Sequence, residues 1–327
     1  MLELIDLRRR YGEVVALDGL AFTVPPGQVF GFLGPNGAGK TTTMRAVFGL
    51  AGLDSGEVRW NGAPIGERER RGFGYMPEER GLYGGMQILD QLVFLGRLHG
   101  IAREPAHEAA MLWTERLGLA ERRADKLESL SLGNQQRVQL AASLVHSPSM
   151  LILDEPFSGL DPVAVDAFSA ILAERAAAGA TVIFSSHQLD LVEHLCESVA
   201  IVNRGRLVIA GTVEELSRSG PQRLEVKVAG DPAGGWARSG LAGVDTVQDG
   251  EDGAVLLTLR PEANAQPTLD GILDTARRAG GVEHFSFRRR RLSEVFREAV
   301  GLSEAPAEMR DSAAARANAP RVGVGQR

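Results

Sequence analysis

Residues 28–50 read QVFGFLGPNGAGKTTTMRAVFGL, and this stretch decides the fold. An apolar run of strand length enters Gly34-Pro35-Asn36-Gly37-Ala38-Gly39-Lys40-Thr41-Thr42, which satisfies G-x-x-x-x-G-K-[ST] and is followed by a helical pattern to Leu50. Glycines at these positions let successive backbone N–H groups turn inward around phosphate oxygens, and the following helix adds the partial positive charge of its N-terminus. Lys40 is then expected at the β- and γ-phosphates, the Thr41 hydroxyl at a Mg²⁺ ion, and Thr42 at the α-phosphate. The bland alternative is a Gly-rich turn with an unrelated lysine. The strand before the motif and the helix after it speak against that alternative.

A loop of this kind needs a metal-holding acid at the end of a neighbouring strand. MLILD at 150–154 supplies Asp154 after four apolar residues, and Glu155 follows at once. A carboxylate there can orient and polarise an attacking water, which is what phosphoryl transfer to water asks of a protein. Standing alone, an apolar strand ending in Asp-Glu-Pro reads as a solvated strand terminus. Paired with the loop, it becomes the second half of a site.

Composition frames these motifs. A chain of 327 residues has room for one large domain and a smaller second one. Hydrophobic residues at 44% and charged residues at 24% match ordinary globular usage and exclude collagen-like, coiled-coil and wholly disordered classes. The net charge of −6 provides no global positive field, so no nucleic-acid partner is expected and any contact with an anionic surface has to be local. The single Cys196 excludes an intramolecular disulfide or a cysteine metal cluster, and in a helical stretch at 190–197 it reads as a small buried apolar side chain. The opening MLELIDLRRRYG lacks the apolar run of a signal peptide, and no apolar stretch reaches the roughly 18 residues of a membrane span. A cytoplasmic chain is expected.

Over 1–216, short β-rich runs alternate with helical ones. Strands are predicted at 2–7, 22–24, 28–34, 56–60, 150–154, 181–186, 198–203 and 206–210. The runs 150–154 and 181–186 are nearly all apolar, as in strands buried on both faces of a parallel sheet, with a crossover helix at 163–178. From about 86 to 146 the strand pattern stops and helices are predicted at 88–99, 105–117 and 135–146, an inserted helical subdomain. Beyond the connection at 217–221, strands at 224–228, 255–259 and 284–288, an amphipathic helix at 269–279 and a closing one at 292–300 suggest a compact α+β unit over 222–302. From 303 to 327 the composition predicts disorder. There is no internal repeat at a period of about 20–50 residues.

Three more features complete a series. Leu130-Ser131-Leu132-Gly133-Asn134-Gln135-Gln136-Arg137 lies between the first two motifs, Ser158-Gly159-Leu160-Asp161 follows the second, and His187 ends TVIFSSH. In this order and spacing the series resembles the nucleotide-binding subunits of ABC transporters over about residues 1–216. The resemblance implies an α/β P-loop NTPase core with an antiparallel β subdomain and an inserted helical subdomain, using ATP and Mg²⁺. It also implies that the LSGGQ-type signature (Ser131, Gly133, Asn134) clamps the γ-phosphate of ATP held by a second cassette. That is again a helix N-terminus, amides and a hydroxyl aimed at an anion. Read alone, LSLGN is an N-cap serine and a polar helix start.

By the same resemblance, Asp161 couples the two ATP sites, His187 contacts the γ-phosphate, and Tyr11 stacks on adenine. Their bland readings are a surface acid, a structural histidine and a surface aromatic. The sequence departs from the family pattern in two places. Leu132 and Asn134 stand where Gly and Gln are common, and Glu78, after Tyr75-Met76-Pro77, stands where a metal- and water-contacting glutamine is usual. Glu78 remains an oxygen ligand for a hard cation.

The C-terminal unit resembles the accessory domain that follows the cassette in bacterial drug-, sodium- and antibiotic-exporter subunits, and it carries no catalytic motif. Its four-arginine run at 288–291 reads as a solvated strand edge or as an anion, headgroup or nucleic-acid contact, and His284 and Trp236 read as packing residues. Taken together, the resemblance implies the ATP-hydrolysing subunit of an exporter. It would work through separate permease subunits contacted near 80–87, as a homodimer or paired cassette peripheral to the inner face of the cell membrane. Two rival readings stand beside it. A soluble ABC ATPase of DNA repair or translation would typically carry two cassettes or a long coiled coil, and this chain shows one cassette and no heptad run. A catalytically silent nucleotide-binding regulator is kept open by Glu78 and Asn134.

Overall fold

A computed structural model of the chain describes residues 1–79, 81–231, 234–238, 240–260 and 265–301. The tail predicted at 303–327 and Arg80 of the 80–87 segment lie outside the described residues. In chain order the strands are β1 (Leu2–Tyr11), β2 (Val14–Val24), β3 (Val29–Leu33), β4 (Ser55–Trp60), β5 (Ala63–Pro64), β6 (Phe73–Met76) and β7 (Met150–Leu153), then β8 (Thr181–Ser185), β9 (Ser198–Asn203), β10 (Arg206–Thr212), β11 (Arg223–Val228), β12 (Val244–Asp249), β13 (Val255–Leu259) and β14 (Val282–Arg288). The helices are α1 (Lys40–Val47), α2 (Glu67–Arg71), α3 (Ile88–Leu98), α4 (Arg103–Arg116), α5 (Leu132–Leu144) and α6 (Pro162–Ala177), then α7 (Leu189–Leu195), α8 (Val213–Arg218), α9 (Gly235–Arg238), α10 (Ala265–Ala279) and α11 (Leu292–Ala299).

The strands predicted at 28–34, 150–154, 181–186, 198–203 and 206–210 join β6, which the sequence did not predict, in one sheet in the order β10-β9-β3-β8-β7-β6, parallel from β9 through to β6. Because side chains alternate across a strand, each apolar run feeds two cores. Phe30, Phe32, Met150, Ile152 and Ile183 point to the face covered by α1 and the antiparallel sheet β2-β1-β4-β5, where Leu4, Leu7, Leu20 and Val58 meet them. Val29, Leu33, Leu151, Leu153, Val182 and Phe184 point to the opposite face, against α5, α6 and α7. Each of these fully buried large side chains stabilises the fold by about 1.5–3 kcal/mol. The chain is therefore a mixed α/β protein with a P-loop NTPase core, an antiparallel β subdomain and helices inserted between β6 and β7.

The third sheet, β12-β13-β11-β14, is wholly antiparallel and closes its own core, with Leu224, Val226 and Leu257 against Ile272 and Ala276 of α10. The closing helix α11, grouped by sequence with this unit, packs elsewhere. Leu292 and Val295 join the large core on the cassette side, next to Leu216 and Val192. Two other readings change. His284 is exposed and hydrogen bonds Ser286 Oγ at 2.7 Å, because β14 turns it outward, so it is not a packing residue. The arginine run is not uniformly solvated, since Arg290 is buried. Trp236 and Cys196 are buried as expected.

Where the helical insertion meets the sheet, the imidazoles of His99 and His146 stack with centroids 3.6 Å apart. His146 Nε2–H donates to Phe73 O at 3.0 Å and His99 Nδ1–H to Arg71 O at 2.9 Å, so the pair ties the ends of α3 and α5 to α2 and β6. Burial, then the facing His99 and the charge of Arg175, holds His146 down at about 4 against an ordinary 6.5, and the Phe73 carbonyl only partly offsets this. The unfolded chain therefore binds a proton that the folded chain refuses between those two values. We expect stability from neutral His146 to be fully present above pH 6.5 and lost as pH falls towards 4, by up to about 3 kcal/mol. Urea denaturation as a function of pH checks this, and His146→Gln should flatten the slope in that window.

Candidate functional site

In a parallel sheet, strand carboxyl ends share one edge, which is where α/β folds bind ligands. The carboxyl ends of β3, β8 and β7 lie side by side at this edge, carrying the glycine-rich loop, Ser185 and Asp154. The loop is shaped by close approaches that exclude a side chain. At Gly34 a Cβ would sit 2.4 Å from Val202 O, and at Gly39, with φ +103°, 2.5 Å from Ala16 O. Gly37 also has a positive φ of +77°, but it faces open space. Ala38 N–H is used within the turn, donating to Pro35 O at 3.1 Å. The amides of Gly37, Gly39, Lys40, Thr41 and Thr42 have no acceptor among the described residues. A ring of unmatched donors at the start of α1 is an anion cradle by construction.

A hydrogen-bonded chain continues from the loop into the strand ends. Thr41 Oγ1 donates to Asp154 Oδ2 at 2.8 Å, and Ser185 Oγ donates to Asp154 Oδ1 at 2.6 Å. Glu155 N–H donates to the same Ser185 Oγ at 2.9 Å. Asp154 is 1% exposed, so these hydroxyls and the Lys40 charge are what make its burial tolerable. Glu155 adopts φ +52°, a left-handed conformation that costs a non-glycine residue about 1–3 kcal/mol and that clusters at functional sites. Its Oε2 lies 2.9 Å from His187 Nδ1.

The electrostatics follow from burial. Lys40 is pushed down by desolvation, opposed by Glu155, Asp154 and Glu78, and its Nζ donates to Gly34 O at 2.7 Å and Pro35 O at 3.3 Å. The Glu155 carboxyl is pushed up by desolvation, opposed by His187 and Lys40. Both groups therefore sit in a region where opposite charges are attracted more strongly than in water. The oxygens of Thr41, Asp154 and exposed Glu78 line one cleft, and such a hydroxyl–carboxylate set suits a hard divalent cation.

That cleft has a volume of about 520 Å³ and gathers Tyr11, Asn36, Gly37, Ala38, Gly39, Lys40, Thr41, Thr42, Glu78, Asp154 and Glu155. Tyr11 is 47% exposed at its rim, with the Arg9 guanidinium 4.6 Å above the ring. Gly34 and Pro35 stand behind the loop as acceptors for Lys40. The structure does not bring Ser131, Gly133, Asn134 or Asp161 into this cleft. Ser131 is the N-cap of α5, accepting from Asn134 N–H at 3.4 Å, and Asp161 is the N-cap of α6, accepting from Ala164 N–H at 2.8 Å.

Three residues at the site escaped the sequence reading. Ser185 is the hinge of the Asp154–Glu155 hydrogen bonds. Gln136 Nε2 donates to Pro156 O at 3.1 Å, and Gln139 Nε2, one turn later on α5, donates to Pro77 O at 2.5 Å. Both glutamines are buried, so the helix capped by Ser131 holds the backbone next to Glu155 and Glu78. In the sequence the two read as ordinary polar positions of a helix, since their acceptors are distant in the chain.

Comparison with known proteins gives the family. Residues 17–158 match the ABC transporter family. The chain is 42% identical over 219 residues to the uncharacterized ABC transporter ATP-binding protein YhaQ of Bacillus subtilis (strain 168), covering 67% of this chain and 74% of that one. It is 34% identical over 221 residues to the Nod factor export ATP-binding protein I of Paraburkholderia xenovorans (strain LB400), covering 67% of this chain and 73% of the relative. A solved structure of an ATP-binding subunit of an ABC transporter superposes with a TM-score of 0.63 at 30% identity, over 67% of this chain and 92% of that one. The chain belongs to the ATP-binding subunits of ABC transporters. Binding of ATP and ATPase activity follow as general properties of that family. Among the described residues, no helix is long and apolar enough to cross a membrane.

Two alanine substitutions separate backbone strain from close approach in the loop. Gly37→Ala meets only the left-handed penalty, about 1 kcal/mol, whereas Gly39→Ala also drives a Cβ onto Ala16 O and is expected to cost about 2–4 kcal/mol. Urea denaturation of the two variants reads the difference, and equal losses would contradict the packing account of Gly39.

Proposed function

We propose that this chain hydrolyses MgATP to drive export through separate membrane-spanning permease subunits, as one of two cassettes that close head to tail over two nucleotides. The observation that carries the reading is the Thr41–Asp154 contact, flanked by unmatched loop amides on one side and the Glu155–His187 pair on the other. In this reading residues 1–216 are the ATPase domain, with a helical subdomain over about 86–146, and 222–302 are the accessory unit.

Tyr11 stacks on the adenine. The amides between Asn36 and Thr42 wrap the phosphates, and Lys40 exchanges its two loop carbonyls for β- and γ-phosphate oxygens. Thr41, Asp154 and Glu78 would hold Mg²⁺, which supplies charge neutralisation on the phosphates. Glu155 accepts a proton from the attacking water, and its raised pKa makes it a stronger base than an exposed glutamate. His187 fixes the Glu155 carboxylate and turns to the γ-phosphate when nucleotide is present.

Because Ser131, Gly133 and Asn134 lie away from the chain's own cleft, they serve the partner cassette's γ-phosphate, with Asp161 linking the two sites. Exposed Leu132 and Val163, at 62% and 75%, are apolar surface for that closure. Gln136 and Gln139 give α5 a direct grip on the Glu155 and Glu78 segments, so movement of the helical insertion is felt at the reacting end and passed to a permease through 80–87. Export as the direction draws on the similarity to the Nod factor export protein and on the C-terminal unit. Such a chain works peripherally on the inner face of the membrane.

ATP turnover of the purified chain tests the catalytic assignment. Glu155→Gln is expected to lower the rate by about 100-fold or more, and equal rates would remove Glu155 from the mechanism. Co-purification with a multi-span membrane protein encoded in an adjacent reading frame tests the coupling.

A further inference from the structure

At the seam between the two units, the end of α8, the 217–221 connection and the facing ends of β11 and β14 enclose a second cleft of about 270 Å³ that shares no residue with the nucleotide cleft. Arg218, Arg223, Arg288, Arg289 and Arg290 line it. The whole chain carries −6, so this positive charge is local. Three of the five arginines are matched by carboxylates: Arg218 with Glu214 at 2.8 Å, Arg223 with Glu294, and Arg290 with Glu298. Arg288 and Arg289 have no carboxylate partner among the described residues.

The cleft is built rather than merely charged. Arg290 is 9% exposed, its backbone N–H donates to Ser217 O at 3.1 Å, and its guanidinium donates to Ser219 O at 3.3 Å. The connection is moulded to it. Gly220 has φ +84°, and a Cβ there would sit 2.7 Å from Arg290 Nη1. Two guanidinium groups with no carboxylate partner among the described residues, beside two that are fixed by Glu294 and Glu298, make a basic cleft suited to an anion. Planar guanidinium forks match phosphoryl oxygens in charge and in geometry.

We propose that this cleft binds a phosphoryl group, carried by an anionic lipid headgroup or by a soluble phosphate compound. Arg288 and Arg289 supply the charge that holds it, and Arg223 and Arg290, fixed by Glu294 and Glu298, brace the cleft walls. Occupation would draw β11, β14 and α8 together, joining the C-terminal sheet to the cassette.

The test uses the full chain with its nucleotide cleft saturated by MgADP. Inorganic pyrophosphate is titrated by calorimetry, and the same protein is sedimented with vesicles of phosphatidylcholine alone or mixed equally with phosphatidylglycerol. Arg288→Gln/Arg289→Gln is expected to leave the unfolding temperature and ATP turnover unchanged while weakening anion binding about tenfold. Loss in the pyrophosphate titration identifies a soluble phosphate compound. Loss confined to phosphatidylglycerol vesicles identifies a headgroup. The proposal is overturned if the unaltered chain binds neither probe, or if the double variant binds both as tightly as the unaltered chain.

Discussion

The hydrogen bond from Thr41 to Asp154 joins the two halves of the proposed nucleotide cleft, and the rest of the structure is arranged so that it can form. A carboxylate that is almost fully buried must be matched on both oxygens, and here Thr41 takes one and Ser185 the other. That requires β7, β8 and β3 to be adjacent and parallel, with their ends level to within a residue. Buried apolar side chains on both faces of those strands hold them there. Glu155 then inherits its place from Asp154, through a shared serine and a strained backbone turn.

Much of this was legible because it is local. The glycine-rich loop is contiguous, and its strand and helix flanks can be read from hydrophobic patterning alone. β7 and β8 are apolar on both faces, which marks them as central strands before any pairing is known. What escaped depends on partners distant in sequence. β6 is only four residues long with a glycine inside it, and it becomes a strand because β7 is beside it. β12, VDTVQD, is too polar to announce itself and is an edge strand of the last sheet. Gln136 and Gln139 look like ordinary helix-surface residues until Pro156 and Pro77 are seen against them. α11 reads as part of the C-terminal unit, yet its apolar face finds the larger core.

The last two observations bear on how the molecule transmits movement. α5, capped by Ser131, grips the backbone beside both Glu155 and Glu78, so the helical insertion and the reacting end of the cleft move as coupled parts in the proposed cycle. α11 does the same at the other end, since it is anchored in the cassette core while its arginine-rich approach borders the C-terminal sheet. Packed interfaces of this kind shift between discrete arrangements rather than deform continuously.

The most direct test of the central claim is a crystal structure of the chain with Mg²⁺ and a non-hydrolysable ATP analogue. The expected result is a triphosphate enclosed by the amides of Gly37 through Thr41, with Lys40 released from Gly34 O onto phosphate oxygens and the metal between Thr41 and Asp154. A nucleotide bound elsewhere, or a loop that keeps Lys40 on its own carbonyls with Asp154 facing no ligand, would contradict it.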